Sequence, residues 1–297
     1  MAAQEFSRGG LLNFLIDLPI RVLFAFFALL PYRISLSFAA WITTRVLAPL
    51  FGINKRIKAN FDLIWPDLPV EQAKNLALEV ADNSTRLMVE SFNITGFLRH
   101  ARRSSLAGEG LEPLLEALKN GQPVILVSGH FGNYQTLRVL LSDLGHDTAA
   151  IYRPMNNAFT NTRYINNMNK IAGPNFPRGL AGTKGLLTHL RKGGAIALLN
   201  DQQAHEGAEL SFMGHPAQTM LSAAEFALKY KAQMFPYYGI RQENRVDFDV
   251  IVEPAIAHSD ATAMTQTLND SLEKQVIAHP GQWFWMHKRW KRPYARS

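Results

Sequence analysis

The sequence predicts an α/β fold in which a central mixed sheet is flanked by helices and preceded by an apolar N-terminal helical segment. Short β-branched runs alternate with helical patterns of about 10–15 residues through most of the chain, which predicts the sheet and its helices. Apolar residues concentrate in residues 11–51, which predicts the N-terminal helices. We therefore expect residues 1–52 to associate with a membrane and residues 53–297 to form one α/β domain.

The N-terminal segment predicts two helices, over about residues 11–30 and 32–50. Arg21, Arg33 and Arg45 divide its most apolar part into two runs of 11 residues each, whereas a spanning helix needs about 20. Because residues 23–30 are apolar on every side, we expect both helices to lie in the membrane surface with their arginines at headgroup level. A single span with one interfacial arginine and two buried helices of a soluble core are the alternatives.

The elements of the α/β domain follow from apolar spacing and turn residues. A long helix is predicted over residues 70–92, and a short one over 111–119 that ends at the C-cap pair Asn120-Gly121. Predicted strands cover residues 124–127, 148–152, 195–199, 234–240 and 246–252. Predicted helices cover residues 133–144, 161–171, 183–191, 221–230 and 263–278.

Composition limits the classes of function. The 297 residues include no cysteine, which excludes disulfide scaffolds, iron–sulfur clusters, Cys-ligated zinc and thiol nucleophiles. Hydrophobic residues make up 47% of the chain, charged residues only 19%, and the net charge is +7. Such a basic, apolar and charge-poor chain favours an anionic and apolar partner, a phospholipid surface rather than nucleic acid.

The strongest candidate site is residues 128–135, with the sequence SGHFGNYQ. It follows a predicted buried strand and precedes a helix, the position at which open α/β sheets bind ligands. Asn133 can cap that helix, and N–H groups of its first turn can hold an oxyanion. Gln135 can accept the proton on one nitrogen of His130 and leave the other as a general base. The alternative is a histidine that only packs beneath a loop.

Further candidates follow other strands. Asp201 and Gln202 come after the strand predicted over residues 195–199, where they can anchor a polar headgroup or orient His130. Arg153 follows the strand over residues 148–152 and can clamp a phosphate or a carboxylate. Residues 283–292 mix aromatic and cationic side chains, which fits a headgroup interface. A solvated terminal strand and single-stranded nucleic acid binding are the alternatives for this tail.

Several ordered segments carry a family resemblance. They are Asn54-Lys55-Arg56-Ile57, residues 129–135, Tyr152-Arg153-Pro154, residues 190–194, Asp201-Gln202, residues 212–219 and residues 280–290. With these segments and its apolar N-terminus, the chain resembles the late acyltransferases of lipid A biosynthesis, a branch of the lysophospholipid acyltransferase-like superfamily. The resemblance covers nearly the whole chain.

The resemblance implies transfer of a fatty acyl group from acyl carrier protein, or from coenzyme A, to the hydroxyl of a 3-hydroxyacyl chain on a lipid. It places this reaction at the cytoplasmic face of the inner membrane of a Gram-negative bacterium. His130 is then the base, with Gln135 as its partner. Expected contacts to the substrates are Asn133, Arg153, Asp201, Gln202 and Thr219. We expect an anionic membrane surface as a further partner, and no nucleic acid, metal or prosthetic group.

One residue departs from the pattern that the resemblance implies, which is His, four residues, then Asp or Glu. This chain has Gln135 at that place, and an amide cannot stabilise an imidazolium by charge. Assistance by a second carboxylate, Asp201 or Glu90, is one interpretation, and a substitution that inactivates the protein is another. A different acceptor, a lyso-aminolipid of the ornithine-lipid type, and a non-catalytic lipid-binding protein are the remaining interpretations.

Overall fold

The computed structural model describes residues 10–204 and 206–290, and in these residues a seven-stranded mixed sheet forms the centre of the molecule. The sheet strands are β1 (Ser105–Ala107), β2 (Val124–Ser128), β3 (Thr148–Tyr152), β4 (Asn175–Pro177), β5 (Ala195–Leu199), β8 (Gln233–Arg241) and β9 (Phe248–Val252). Their spatial order is β1-β9-β8-β2-β5-β3-β4. All neighbours run parallel except β8 and β9, so the prediction of a mixed sheet is confirmed.

The remaining elements surround this sheet. A separate antiparallel hairpin consists of β6 (Ala208–Phe212) and β7 (His215–Thr219). The N-terminal helices are α1 (Leu11–Leu29) and α2 (Tyr32–Ile42), which continues through a π-helical stretch, Thr43–Leu47, to a last turn, Ala48–Leu50. The other helices are α3 (Ile53–Ile64), α4 (Val70–Phe92), α5 (Ile94–Ala101), α6 (Leu111–Lys119), α7 (Thr136–Asp143), α8 (Ala158–Ile171), α9 (Leu180–Arg191), α10 (Ser222–Tyr230) and α11 (Ala261–Ala278).

The sheet is covered on both faces, as its apolar central strands require. Helices α6 and α7 pack on one face through Leu114 and Leu137, and α9, α10 and α11 contribute a cluster with Leu186 and Leu268. Strand β2 is buried along its whole length between β8 and β5. Because β2, β5 and β3 run parallel to one another, their carboxyl ends lie at the same edge of the sheet.

Most predicted elements are present, some at their predicted bounds. The helices over residues 70–92 and 111–119 and the strands over 148–152 and 195–199 match the structure. The sequence interpretation missed α3, α5, β1, β4 and the β6–β7 hairpin. Strands β1 and β4 have three residues each, too few for a period to be visible. The hairpin turns at Met213-Gly214, where both residues have positive φ without the Asn-Gly signal of such turns.

Helices α1 and α2 expose much of their apolar surface, so the alternative of two helices in a soluble core is wrong. Leu11, Leu12 and Leu29 of α1 are 75%, 71% and 85% exposed. Helix α1 is also long and apolar enough to cross a membrane, whereas the helical segment Tyr32–Leu50 meets that condition only together with α3, across a bend of 82°. The count between charges stops at Arg21, whereas α1 continues across Asp17 and Arg21, which pair with each other.

Candidate active site

The candidate active site begins where strand β2 ends. Two residues beyond Ser128, His130 lies in the loop that leads to α7. Gly132 in this loop has a φ of +50°, and a Cβ at this position would collide with the carbonyl oxygen of Gly239 on β8. Glycine is therefore required here for the loop to lie against the sheet.

The backbone around His130 is fixed from a second side by the C-terminal segment. The N–H of Gly132 donates to the carbonyl oxygen of Gln282 at 2.9 Å, and the N–H of Phe284 donates to the carbonyl oxygen of His130 at 3.0 Å. Gln282 ends a 3-10 turn that follows α11. The loop is thus hydrogen-bonded to the C-terminal segment as well as packed against the sheet, and both contacts fix the position of the imidazole.

His130 forms a hydrogen-bonded pair with Asp201. The imidazole Nδ1 lies 2.7 Å from Asp201 Oδ1, and the backbone N–H of His130 donates to Asp201 Oδ2 at 2.7 Å. The strand register explains this meeting, because Ser128 on β2 pairs with Leu199 on parallel β5 and each functional residue follows two positions later. The indole N–H of Trp283 donates to the same Oδ2 at 2.9 Å.

The electrostatics of this pair keep the carboxylate ionised and make the imidazole more basic. Burial by itself lowers the pKa of His130, but the charge of Asp201 and its hydrogen bond to Nδ1 outweigh burial and raise that pKa above its usual value. Burial likewise raises the pKa of Asp201, but the charge and hydrogen bonds of His130, with the N–H of Trp283, lower it to about 2. Asp201 is therefore a carboxylate at any physiological pH.

The second imidazole nitrogen faces the open side of the loop. The His130 side chain is 25% exposed, in contrast to 3% for Asp201. Its Nε2 lies 3.4 Å from Nε2 of Gln202, and the rings of Tyr134 and Phe284 border it at 5.7 and 6.1 Å between centroids. Because Nδ1 donates to a carboxylate, Nε2 carries the lone pair and can take a proton from a bound group.

Gln135 is not the partner of His130, so this sequence-based assignment is corrected. Its Oε1 accepts a hydrogen bond from Nη1 of Arg138 at 2.8 Å. Arg138 is fully buried and also donates to Thr148 Oγ1 at 3.0 Å and to Asn175 Oδ1 at 2.9 Å. A buried guanidinium requires an acceptor for each of its donors, and this requirement turns the Gln135 side chain into the core beside α7.

Asn133 also faces the core rather than the open side of His130. Its Nδ2 donates to Oε2 of Glu90 at 2.8 Å, and its Oδ1 accepts the N–H of Gln135 at 3.0 Å. Glu90 in turn accepts two hydrogen bonds from Arg241, at 2.6 and 2.8 Å. Neither the expected substrate contact by Asn133 nor the assistance of His130 by Glu90 agrees with these contacts.

Comparisons with known proteins address the chemistry of this site. A family model described as bacterial lipid A biosynthesis acyltransferase matches residues 12–292. The chain belongs to this family. It is 25% identical over 251 residues to the lipid A biosynthesis palmitoleoyltransferase of Escherichia coli (strain K12), a match that covers 81% of this chain and 79% of the relative.

More distant relatives modify a different lipid. The chain is 22% identical over 194 residues to a phosphatidylinositol mannoside acyltransferase of Mycobacterium tuberculosis (strain CDC 1551 / Oshkosh), covering 63% of this chain and 61% of the relative. The protein is therefore an acyltransferase, and the lipid that it modifies is a separate question. Its apolar N-terminal helix, together with lipid-modifying relatives, indicates membrane association.

Of the other residues predicted to contact the substrates, Gln202 and Arg153 lie at the same edge of the sheet as the imidazole, and Thr219 does not face it. Gln202 lies beside it, as described. Arg153 is exposed at the end of β3, two strands from β2 and at the same edge of the sheet. Thr219 is fully buried, and its Oγ1 accepts a hydrogen bond from Arg289 at 2.6 Å. Thr219 therefore stabilises the β6–β7 hairpin against the C-terminal segment and does not face the imidazole.

The aromatic C-terminal segment belongs to the core of the acyltransferase. Trp283, Trp285 and Arg289 are at most 1% exposed, so the predicted headgroup interface is wrong for these three side chains, whereas Lys288 is exposed. The basic positions 291–292 lie outside the described residues. The sequence interpretation missed Trp283 as a donor to Asp201. The three tryptophans within residues 283–290 are the signal that could have found it, because the indole N–H of a buried tryptophan usually has a hydrogen-bond partner.

Proposed function

We propose that this acyltransferase moves a fatty acyl group from the thioester of acyl carrier protein, or of coenzyme A, to the hydroxyl of a 3-hydroxyacyl chain on a lipid A precursor. The proposal rests on the His130–Asp201 pair, in which Asp201 holds the proton of Nδ1 and Nε2 faces the open side of the loop. This is the arrangement of a general base oriented by a carboxylate.

In the proposed reaction the substrate hydroxyl gives its proton to His130 Nε2 as its oxygen attacks the thioester carbonyl carbon. A C–O bond forms and the carbonyl electrons move to oxygen, giving a tetrahedral oxyanion. The oxyanion then collapses, the C–S bond breaks, and the imidazolium returns its proton to the thiolate. The products are the acylated lipid and the free thiol of the carrier, so no covalent intermediate on the protein and no metal are needed.

Two features of the site support this sequence of steps. Asp201 remains ionised next to the imidazolium and stabilises it by charge, which Gln135 cannot do. Gln202 carries an amide N–H close to Nε2, so it is placed to donate to the oxyanion as the hydroxyl proton leaves. We propose this role for Gln202, and for Arg153 a contact to a phosphate of either substrate at the same edge of the sheet.

The proposed acceptor follows from the family and from the carboxylate of Asp201. The alternative of a lyso-aminolipid acceptor depends on Gln135 standing where the resemblance implies an acidic residue. Asp201 provides that acidic partner, so the departure at Gln135 no longer argues for a different acceptor. Because acyl carrier protein and coenzyme A are cytosolic, the site belongs at the cytoplasmic face of the inner membrane in this proposal.

The test uses the purified protein in mixed micelles with acyl carrier protein or coenzyme A thioesters and a set of hydroxyacylated lipids. The wild-type protein should acylate the lipid A precursor, and His130→Ala should reduce kcat by about 10³. Asp62→Asn, at an exposed ion pair with Lys58, should leave the rate unchanged. Equal rates for wild type and His130→Ala contradict the assignment of the base. Preferred acylation of a lyso-aminolipid, or its accumulation in a deletion strain, contradicts the acceptor.

A further inference from the structure

The apolar helix α1 contains one carboxylate, Asp17, whose side chain is fully buried. Arg163 on α8 donates to both of its oxygens, at 2.7 and 2.6 Å. Thr160 on α8 donates at 2.6 Å, and Arg21, one turn along α1, donates at 2.6 Å. Four hydrogen bonds therefore converge on one carboxylate, and three of them come from α8.

Neighbouring contacts extend this junction over the first turn of α8. Nδ2 of Asn157, the N-cap of α8, donates to the carbonyl oxygen of Asn13 at 2.8 Å. The ring of Phe14 meets that of Phe159 edge-on at 5.7 Å, and the guanidinium of Arg21 lies over both rings at 5.3 and 5.5 Å. The contact thus combines a buried ion pair, a backbone hydrogen bond and an aromatic pair.

The two faces of α1 differ in character along its length. Phe14, Asp17, Arg21 and Phe24 recur at the spacing of one helical stripe, and this stripe meets the protein. Leu12, Ile16, Val22 and Phe26 lie off this stripe and are at least 45% exposed, apolar surface suited to lipid. A carboxylate is costly in hydrocarbon, so the ion pair directs one particular face of α1 to the protein.

Helix α8 connects this junction to the catalytic edge. It begins at Ala158, shortly after β3 ends at Tyr152, and β3 ends at the same edge of the sheet as β2 and β5. We propose that Asp17 is a positioning residue, which docks the membrane helix α1 on α8 and so holds the His130 edge of the sheet at the lipid surface. This inference rests on the proposed function, since it assigns a membrane-embedded acceptor to His130.

Asp17→Leu separates this role from simple anchoring, because it removes the ion pair while making α1 more apolar. The unpaired Arg21 and Arg163 can be solvated, since their side chains are 40% and 29% exposed. Asp62→Leu makes the same exchange in the exposed pair with Lys58 and is the matched control. Binding is measured by sedimentation with phosphatidylethanolamine–phosphatidylglycerol vesicles, and transfer is measured with the acceptor either in vesicles or dispersed in detergent.

We expect Asp17→Leu to bind vesicles as well as the wild type does and to lose about tenfold in kcat/KM for the acceptor in vesicles. Transfer to the detergent-dispersed acceptor should stay within about twofold of wild type, and Asp62→Leu should change neither rate. An unchanged rate on vesicles overturns the proposal. Equal losses in both assays with a lower Tm overturn it too, because Asp17 then acts only on folding.

A distance measurement tests docking independently of activity. If no acyl transfer is detected, that result counts against the proposed function and not against the docking of α1 on α8. The chain has no cysteine, so spin labels can be placed cleanly at Leu29→Cys and Lys170→Cys, on exposed positions of α1 and α8. The vesicle-bound protein should give one narrow distance distribution, which Asp17→Leu broadens. A distribution that remains narrow in Asp17→Leu overturns the proposed docking role.

Discussion

Replacing Asp201 by asparagine tests the catalytic pair most directly, because the surrounding donors dictate how the new amide must sit. Oδ2 of Asp201 receives two N–H groups, from the His130 backbone and from the Trp283 indole. An asparagine must present its oxygen to those donors, which places its NH₂ group against His130 Nδ1. Nδ1 then has to accept a hydrogen bond, so the neutral imidazole carries its proton on Nε2 and cannot act as the base.

The expected loss is large because both the tautomer and the charge change. In serine proteases the corresponding Asp→Asn change costs about 10⁴ in kcat, and we expect a loss of about 10³–10⁴ here, which corresponds to about 4–5.5 kcal/mol in the activation free energy. The pH profile should also shift. Wild-type kcat/KM should fall on the acid side with a midpoint above 6.5, because Asp201 raises the pKa of His130. In Asp201→Asn burial acts unopposed, so this midpoint moves to lower pH.

The assay is steady-state transfer from a thioester to a hydroxyacylated lipid between about pH 5 and 9, a range that brackets the ordinary pKa of histidine, with thermal unfolding to confirm that each variant folds. Gln135→Ala provides the comparison, since Gln135 contacts Arg138 and not His130. If Asp201→Asn keeps more than about a tenth of the wild-type kcat, a change of under about 1.4 kcal/mol, while a folded Gln135→Ala loses activity, the geometric assignment is wrong and Gln135 is the functional partner.

Three further changes test the surroundings of the pair. Gln135→Glu places a carboxylate against buried Arg138, so it should raise the free energy of unfolding by about 1 kcal/mol in urea titrations. The kcat should stay within about threefold of wild type, and a large gain in kcat contradicts the contact with Arg138. Arg138→Met leaves the acceptor oxygens of Thr148 and Asn175 unpaired and should lower the free energy of unfolding by about 2–4 kcal/mol in the same titrations. A decrease below about 0.5 kcal/mol refutes a structural role for Arg138. Trp283→Phe removes one donor that orients Asp201 and should lower kcat about fivefold. The acid limb of the pH profile should not move, because Asp201 keeps its charge, and a shift of that limb contradicts this reasoning.

The sequence was most informative where one period persists over many residues. The helix over residues 70–92 and the strand over residues 195–199 are present at their predicted bounds. The helix carries a long periodic apolar pattern, and the strand is an uninterrupted apolar run. Helix α7 starts at Thr136 and not at residue 133, because Asn133 accepts the N–H of Gln135 and forms a turn before the helix. A local hydrogen bond of this kind competes with helix formation without changing the apolar pattern.

The site could be predicted in its position but not in its pairing. Both His130 and Asp201 follow apolar strands, so the sequence predicts that they lie at one edge of the sheet and that Asp201 is a candidate second carboxylate. Which side chain orients His130 depends on the direction that residue 135 takes, and this is decided by Arg138. A buried arginine on the apolar face of a short helix is not visible from spacing, because its partners lie 10 and 37 residues further along the chain.

The exchange of roles between Gln135 and Asp201 also explains why an amide is acceptable at a position where the family resemblance implies an acid. The side chain at 135 contacts buried Arg138, so a carboxylate there would pair with that guanidinium. The imidazole already has a partner in Asp201, two residues beyond strand β5. Strand β5 pairs with β2 along its whole length, so the register of the sheet sets the distance between the two groups. A sheet register is a more rigid spacer than a five-residue turn, since shifting it by one residue would turn every side chain of the strand to the other face. The carboxylate that matters for catalysis is therefore expected to be the one that follows the neighbouring strand, and losing Asp201 should be far more damaging than any change at 135.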